Sequence, residues 1–163
     1  MMYEQILDGR EERYNLELKL LEYFKKPIMV ITINYPGESK LDEISDIIFR
    51  EAIRAIKGFK FIYITSGKNF AGHYFMGVIS GDPIEAKKFA VGIEEKHPLG
   101  RLFDIDVIDY PFKKIERRQL GLKGRKCILC GGNSRECILE GRHTTGEVLR
   151  KIRSMVEAYL NGL

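Results

Sequence analysis

The segment Gly100-Arg101-Leu102-Phe103-Asp104-Ile105-Asp106-Val107 carries the sharpest chemical signal in this sequence. Read as a strand, residues two apart share a face. Asp104 and Asp106 then project together with Leu102, while Phe103, Ile105 and Val107 turn to the core. Two carboxylates this close repel each other unless a cation sits between them. A hard divalent ion such as Mg2+ suits that donor pair, and substrate phosphates usually complete its shell. Phosphoryl and nucleotidyl transfer use this arrangement, because the metal offsets charge on the attacking and leaving oxygens. Gly100 lets a phosphate approach the backbone, and Arg101 can grip it through two parallel hydrogen bonds. A bare D-x-D is common on solvated sheet edges. The apolar strand, the glycine and the arginine favour the metal here.

A second element is Cys127-x2-Cys130-x6-Cys137-x5-His143, which holds all three cysteines of the chain. Three thiolates and an imidazole are a zinc set, and four protein ligands would make the site structural. The competing reading is three small buried side chains and a histidine near a helix cap. An odd, crowded cysteine count does not describe a secreted disulfide framework, and it fits a reducing compartment. Arg10 and Arg13 share a helix face and can clamp a phosphate chain, or pair with Glu11, Glu12 or Glu17. His97 precedes the aspartate strand, as a base or as the cap of a helix end. From Lys113 to Lys126 seven basic residues face one acid, Glu116, which attracts phosphates or an acidic protein surface when it is not simply a solvated loop. The sequence holds no Walker loop, dinucleotide fingerprint or G-x-S-x-G elbow.

These residues need elements to hold them. Residues 3–24 have helical apolar spacing, and Lys25-Lys26-Pro27 ends that helix. Ile28 to Ile33 is a continuous β-branched run and reads as a buried strand. Ser39 is positioned to cap a helix lined by Leu41, Ile44, Ile48, Ala52 and Ala55, and Gly58 ends it. Phe59–Thr65 and Tyr74–Ser80 read as a hairpin around a turn at Ser66–Asn69. Asp82-Pro83 opens the next helix, and Leu102–Ile108 is the fourth strand. The order is strand, helix, strand, strand, helix, strand. It predicts an α+β, ferredoxin-like split βαβ antiparallel sheet with both helices on one face. An N-terminal helix and a C-terminal Cys/His-rich turn plus helix are additions. Thr144-x-x-Glu147 is a capping box for the last helix, whose Val148, Ile152, Met155 and Tyr159 must dock. Residues 1–118 read as the catalytic α+β domain, with 119–163 packed on it.

The chain has 163 residues, an apolar fraction of 44% and a net charge of +4, which suits one globular unit. No apolar run reaches membrane-span length, and the charged start is not a secretory signal. The expected location is the cytoplasm.

Taken together, His97-Pro-Leu-Gly-Arg-Leu-Phe-Asp-Ile-Asp-Val107, the Arg117-Arg118 pair, Arg125-Lys-Cys-Ile-Leu-Cys130, Cys137 and His143 resemble the apo-citrate lyase phosphoribosyl-dephospho-CoA transferase family. Arg10-Glu11-Glu12-Arg13 matches an element near the family's start, and Pro36, Gly37 and Lys40 match a strand followed by P-G and a lysine. The resemblance implies transfer of triphosphoribosyl-dephospho-CoA to a serine of the citrate lyase acyl carrier protein, with release of diphosphate. It implies Mg2+ on Asp104 and Asp106, with Arg101 also catalytic. Substrate contacts are implied at Arg10, Arg13, Lys40, His97, Gly100, Arg117, Arg118 and Arg125. A structural zinc on the Cys/His set is a further candidate. Neither a membrane nor a nucleic acid is an expected partner. The rivals are a nucleotidyltransferase of another carrier protein, such as that of malonate decarboxylase, and a non-enzymatic RNA-binding module.

Overall fold

The computed structural model describes residues 2–163. Helix α1 (Met2–Phe24) leads into β1 (Ile28–Ile33), followed by α2 (Glu43–Ala55), β2 (Tyr63–Asn69), β3 (Gly72–Val78), α3 (Pro83–Lys96), β4 (Phe103–Asp109) and β5 (Lys113–Lys114). A short helix, α4 (Ser134–Leu139), and a long one, α5 (Thr145–Asn161), close the chain. The strands form one sheet in the order β2-β3-β1-β4-β5, with every neighbouring pair antiparallel. The first four strands and α2 and α3 reproduce the split βαβ pattern that the element order predicts. Strand β5 extends the sheet beyond β4. No helix among the described residues is long and apolar enough to cross a membrane.

The continuous apolar character of β1 follows from its place at the centre, where both faces are covered. Met29 and Ile31 join Phe75, Phe103, Ile105 and Val107 on one face, under α2, α3 and α5. Ile28 and Val30 join Met76, Val78 and Ile108 on the other, under Leu20 and Leu21 of α1. Ile152 and Val156 of α5 are buried in the first core, so the last helix docks beside α2 as its apolar stripe requires. Its capping box is formed, Thr144 Oγ1 accepting from Glu147 N and Glu147 accepting from Thr144 N.

Helix α1 buries Leu20 and Leu21 in its second half and Ile6 and Gly9 in its first. Its first half is pinned by a close approach to the β2–β3 hairpin tip. Asn69 Nδ2 donates to the Gly9 carbonyl at 3.0 Å, and a Cβ at Gly9 would lie 2.6 Å from Asn69 Oδ1. The adjacent Arg10 and Arg13 are thereby held over the polar end of the same sheet face.

Local details depart from the sequence reading for identifiable reasons. Helix α2 is capped by Asp42, not Ser39, because Asp42 and Ser45 satisfy each other's backbone N–H groups in a capping box. The stretch Ser66–Asn69 is strand; the turn falls one step later, where Asn69 Oδ1 accepts from Ala71 N and Gly72 takes φ +107°. Leu102 does not share the aspartate face. It belongs to a 3-10 turn, Gly100–Leu102, and packs into the α2/α3 core. Strand β5 and α4 are additional.

Gly100 has a packing reason to be glycine. A Cβ there would sit 2.3 Å from the Glu94 carbonyl oxygen and 2.7 Å from that of Ile93, both backbone atoms that cannot swing aside. Gly100→Ala is therefore expected to lower stability by about 2 kcal/mol or more in urea unfolding. A variant as stable as the parent would refute this packing.

Candidate active site

A cavity of about 740 Å3 opens between the first half of α1, the adjoining ends of β1 and β4, and the Cys/His-rich segment. Asp104 and Thr32 are direct partners in the β1–β4 ladder, and both line it. Asp106 pairs with Val30 one step along the same face, so the two aspartates do project together. Their environments differ. Asp106 is held by Lys114 at 2.9 Å. Asp104 has only a 3.4 Å hydrogen bond from Thr32 Oγ1. Burial, then the charge of Asp106, pushes the Asp104 carboxyl above the usual range. Glu17 of α1 is raised likewise, first by burial and in part by Asp106. An acidic group this poorly compensated, with hard oxygen donors and a second carboxylate beside it, fits a divalent cation.

Arg10, Arg13, Lys40 and Arg101 line the same cavity. Among the described residues none of these four makes an ion pair. Lys40 Nζ donates to the Tyr35 carbonyl at 2.6 Å. Its pKa is lowered by burial and by Arg10, and that of Arg101 by burial, Arg125 and Arg117. Such a gathering of like charges is costly without an anion, and a polyphosphate chain is the anion that meets several of them at once.

Other residues singled out from sequence hold the frame. Glu94 is 3% exposed and receives Arg125 at 3.0 Å and Arg117 at 3.5 Å. Arg125 also donates to the Phe103 and Gly100 carbonyls, each at 2.8 Å. It reaches the cavity wall with both terminal nitrogens already engaged, leaving only its buried Nε without a partner among the described residues. Arg117 pairs with Glu95 as well, at 3.2 Å. Arg118 pairs with Glu116 on the surface. Neither of these two lines the cavity, and Gly100 and His97 do not line it either. The His97 ring accepts from Leu99 N at 3.0 Å and lies against Phe103 and Tyr159, which makes it the cap of α3. Of the basic stretch, Lys113, Lys123 and Lys126 remain exposed and unpaired among the described residues.

Sequence reasoning missed Glu94, Lys114 as the partner of Asp106, and Glu17 as the third acid on this face. Glu94 had a signal. It falls on the same helix face as Lys87, Ala90 and Val91, all buried.

The ligand atoms of Cys127, Cys130, Cys137 and His143 all lie within 4.8 Å of one another. The Cys130 and Cys137 sulfurs are 3.5 Å apart and unbonded, close to the ~3.8 Å edge of a tetrahedron with ~2.3 Å zinc–sulfur bonds. Leu129 N donates to Cys127 Sγ at 3.4 Å, and His143 Nε2 is buried with no partner among the described residues. The Cys130 thiol is drawn down to about 6 by the Gly132 backbone and then by His143 and Cys137. Burial drives Cys137 up to about 11. The cluster can hold a metal ion.

The family described as apo-citrate lyase phosphoribosyl-dephospho-CoA transferase matches residues 1–159. Protein CitXG of Haemophilus influenzae is 29% identical over 160 residues, covering 94% of this chain and 34% of its own length. Protein CitXG of Leuconostoc mesenteroides subsp. cremoris is 34% identical over 164 residues, 95% of this chain and 35% of its own. The chain thus spans about a third of these two relatives. A probable apo-citrate lyase phosphoribosyl-dephospho-CoA transferase of Vibrio cholerae is 31% identical over 163 residues, 96% of this chain and 92% of the relative.

The arginines should separate by experiment. Arg125→Ala is expected to destabilise the fold by about 3 kcal/mol, because it strips a buried carboxylate of its best partner. Arg101→Ala should stay within about 0.5 kcal/mol of the parent in denaturant melts. It should, however, weaken tripolyphosphate binding in calorimetry. Equal stability losses would contradict the division.

Proposed function

The chain belongs to the apo-citrate lyase phosphoribosyl-dephospho-CoA transferase family, and we propose that it transfers triphosphoribosyl-dephospho-CoA onto a serine hydroxyl of the citrate lyase acyl carrier protein, releasing diphosphate. One observation carries the reading: four unpaired cations share one cavity with the under-compensated Asp104, and Asp106 stands one step along the same face of β4. A small anion would need fewer cations, and a metal site alone would need none.

In this reading Arg10, Arg13, Lys40 and Arg101 bind the triphosphate and hold the departing diphosphate. Asp104 and Asp106 would hold Mg2+, Lys114 giving up its pairing with Asp106; the ion would offset charge on the donor's phosphate oxygens. The serine oxygen bonds to the phosphorus next to the ribose as the bond to diphosphate breaks in line. Glu17, the remaining carboxylate beside Asp106 and Lys114, takes the serine proton, its raised pKa making it the better base. Lys113, Lys123 and Lys126 offer an acidic carrier a docking surface. A second metal belongs to the Cys/His cluster. Three thiolates and an imidazole select zinc, which fits a protein kept in the reducing cytoplasm. An RNA-binding role finds less support, because α1 covers the sheet face that would stack bases.

Incubation with the apo-carrier, the donor and Mg2+ should add the prosthetic-group mass to the carrier. Asp104→Asn and Asp106→Asn should each cut the rate about 100-fold or more while leaving the melting temperature near the parent's. Folded variants with full activity would overturn the assignment of the pair.

A further inference from the structure

Between Gly121 and His143 the chain has almost no core of its own. Cys137 is the one buried residue in that stretch. Ile138 and Leu139 are 77% and 76% exposed. A segment this poor in buried apolar surface cannot offset its own ordering entropy. It nevertheless adopts a defined path. Cys127 N donates to the Gly132 carbonyl at 2.7 Å, Lys126 bridges to Asn133, and Asn133 caps α4 by accepting from Glu136 N at 3.1 Å. The four ligand atoms converge at the middle of that path. A metal bound there would supply what the missing core does not.

The same segment builds part of the cavity. Cys127, Cys137 and His143 line it themselves. So do the aliphatic side chains Ile128, Ile138, Val148 and Ile152, all from the segment after Arg125. The cations come from elsewhere: Arg10 and Arg13 from α1, Lys40 from the β1–α2 connection, Arg101 from the turn before β4. The cavity therefore has two walls of different chemistry and different origin. One is charged and stands on the sheet core. The other is apolar, with Ile128 and Ile138 on the Cys/His cluster and Val148 and Ile152 on α5, which is docked in the main core.

We infer that the metal at Cys127, Cys130, Cys137 and His143 orders the Ile128 and Ile138 side of an apolar wall that packs against the heteroaromatic base of the donor, so that metal binding and base recognition are coupled while phosphate binding is not. The inference rests on the zinc and donor readings given above. It deepens them by assigning the donor's two ends to two separately stabilised walls. The coupling is reciprocal: the base-bearing ligand tightens the metal as much as the metal tightens the ligand.

The test uses the full chain and two probes, 3'-dephospho-CoA, which carries the base, and inorganic tripolyphosphate, which does not. Metal analysis of the purified protein should give zinc in equal molar ratio to the chain. Removing it with a chelator should weaken dephospho-CoA about tenfold or more in calorimetry, a common size for coupling between sites. Tripolyphosphate affinity should be unchanged, and returning zinc should restore the loss. Unchanged dephospho-CoA binding after zinc removal would overturn the inference. So would an equal loss for both probes, which would mean that the metal supports the entire cavity. A protein that binds tripolyphosphate but no zinc would discard the metal wall and leave the phosphate reading standing. Failure of tripolyphosphate to bind at all would instead sink the phosphate reading. Should chelation unfold the whole chain by circular dichroism, Ile128→Asn decides, since it keeps every ligand and adds no charge to the cavity. It should retain zinc and tripolyphosphate binding and lose dephospho-CoA affinity; unaltered dephospho-CoA affinity there would refute the apolar wall.

Discussion

The ion cluster on Glu94 fixes the geometry on which everything else relies. This carboxylate is buried at the end of α3, and burial pushes its pKa up against the pull of Arg125, Lys87 and Arg117. An isolated charge there would be costly. With Arg125 and Arg117 in place it becomes a clamp. Arg125 reaches from the start of the Cys/His-rich segment to the Gly100 and Phe103 carbonyls, the two ends of the turn that launches β4. One guanidinium thus ties α3, the turn, the aspartate strand and the later segment together. Gly100 permits the close backbone approach that this arrangement needs. Asp104 faces the cavity, with Asp106 beside it on the same strand face, because β4 starts where this clamp puts it.

The cavity holds two charge populations that do not neutralise each other. Four cations stand without carboxylate partners among the described residues, and Asp104 stands without a cation of its own. Side chains as long as arginine and lysine would form ion pairs with nearby acids if the backbone let them. Here they are held back. Gly9 and Asn69 fix the pitch of α1, and Lys40 is tied to the Tyr35 carbonyl. A ligand carrying phosphates, with a divalent ion shared between those phosphates and the aspartates, satisfies both populations together. Unspent electrostatic energy of this kind is what a preorganised site keeps in reserve. It also explains why Asp106, though paired with Lys114, keeps a partner that can exchange: Lys114 is about half exposed, on the short edge strand β5.

Periodicity made much of this legible. The two-residue repeat in β4 placed both aspartates opposite the core, and the element order gave the split βαβ sheet. Helix caps at Asp82 and Thr144 were readable because capping depends on residues a few positions apart. What failed was long-range pairing. Arg117 and Arg125 looked like phosphate ligands because their partner, Glu94, lies more than twenty residues earlier and was hidden inside an ordinary helix pattern. Leu102 was placed beside the aspartates by extending the strand one residue too far; the turn at Gly100–Leu102 reverses its direction. The hairpin slipped because Gly67 suggested a turn, whereas the turn follows Asn69, whose side chain serves α1 and the loop at once. Gly67 is glycine because Tyr74 crosses above it, 2.5 Å from where a Cβ would stand.

The Cys/His-rich segment shows how a chain can add a wall without adding a core. It is anchored at one end by Arg125 and at the other by α5, whose Ile152 and Val156 are buried in the main core. Fixing both ends shortens the loop that a metal would have to organise, and closure entropy grows with loop length. The Leu129 and Gly132 N–H groups turned toward the Cys127 and Cys130 sulfurs then bias the turn toward the ligating conformation before any ion arrives. A metal bound to such an anchored loop would have only this short span to order. Ordering it would hold the wall rigid, and rigidity is what an apolar surface needs in order to discriminate a flat ring from water.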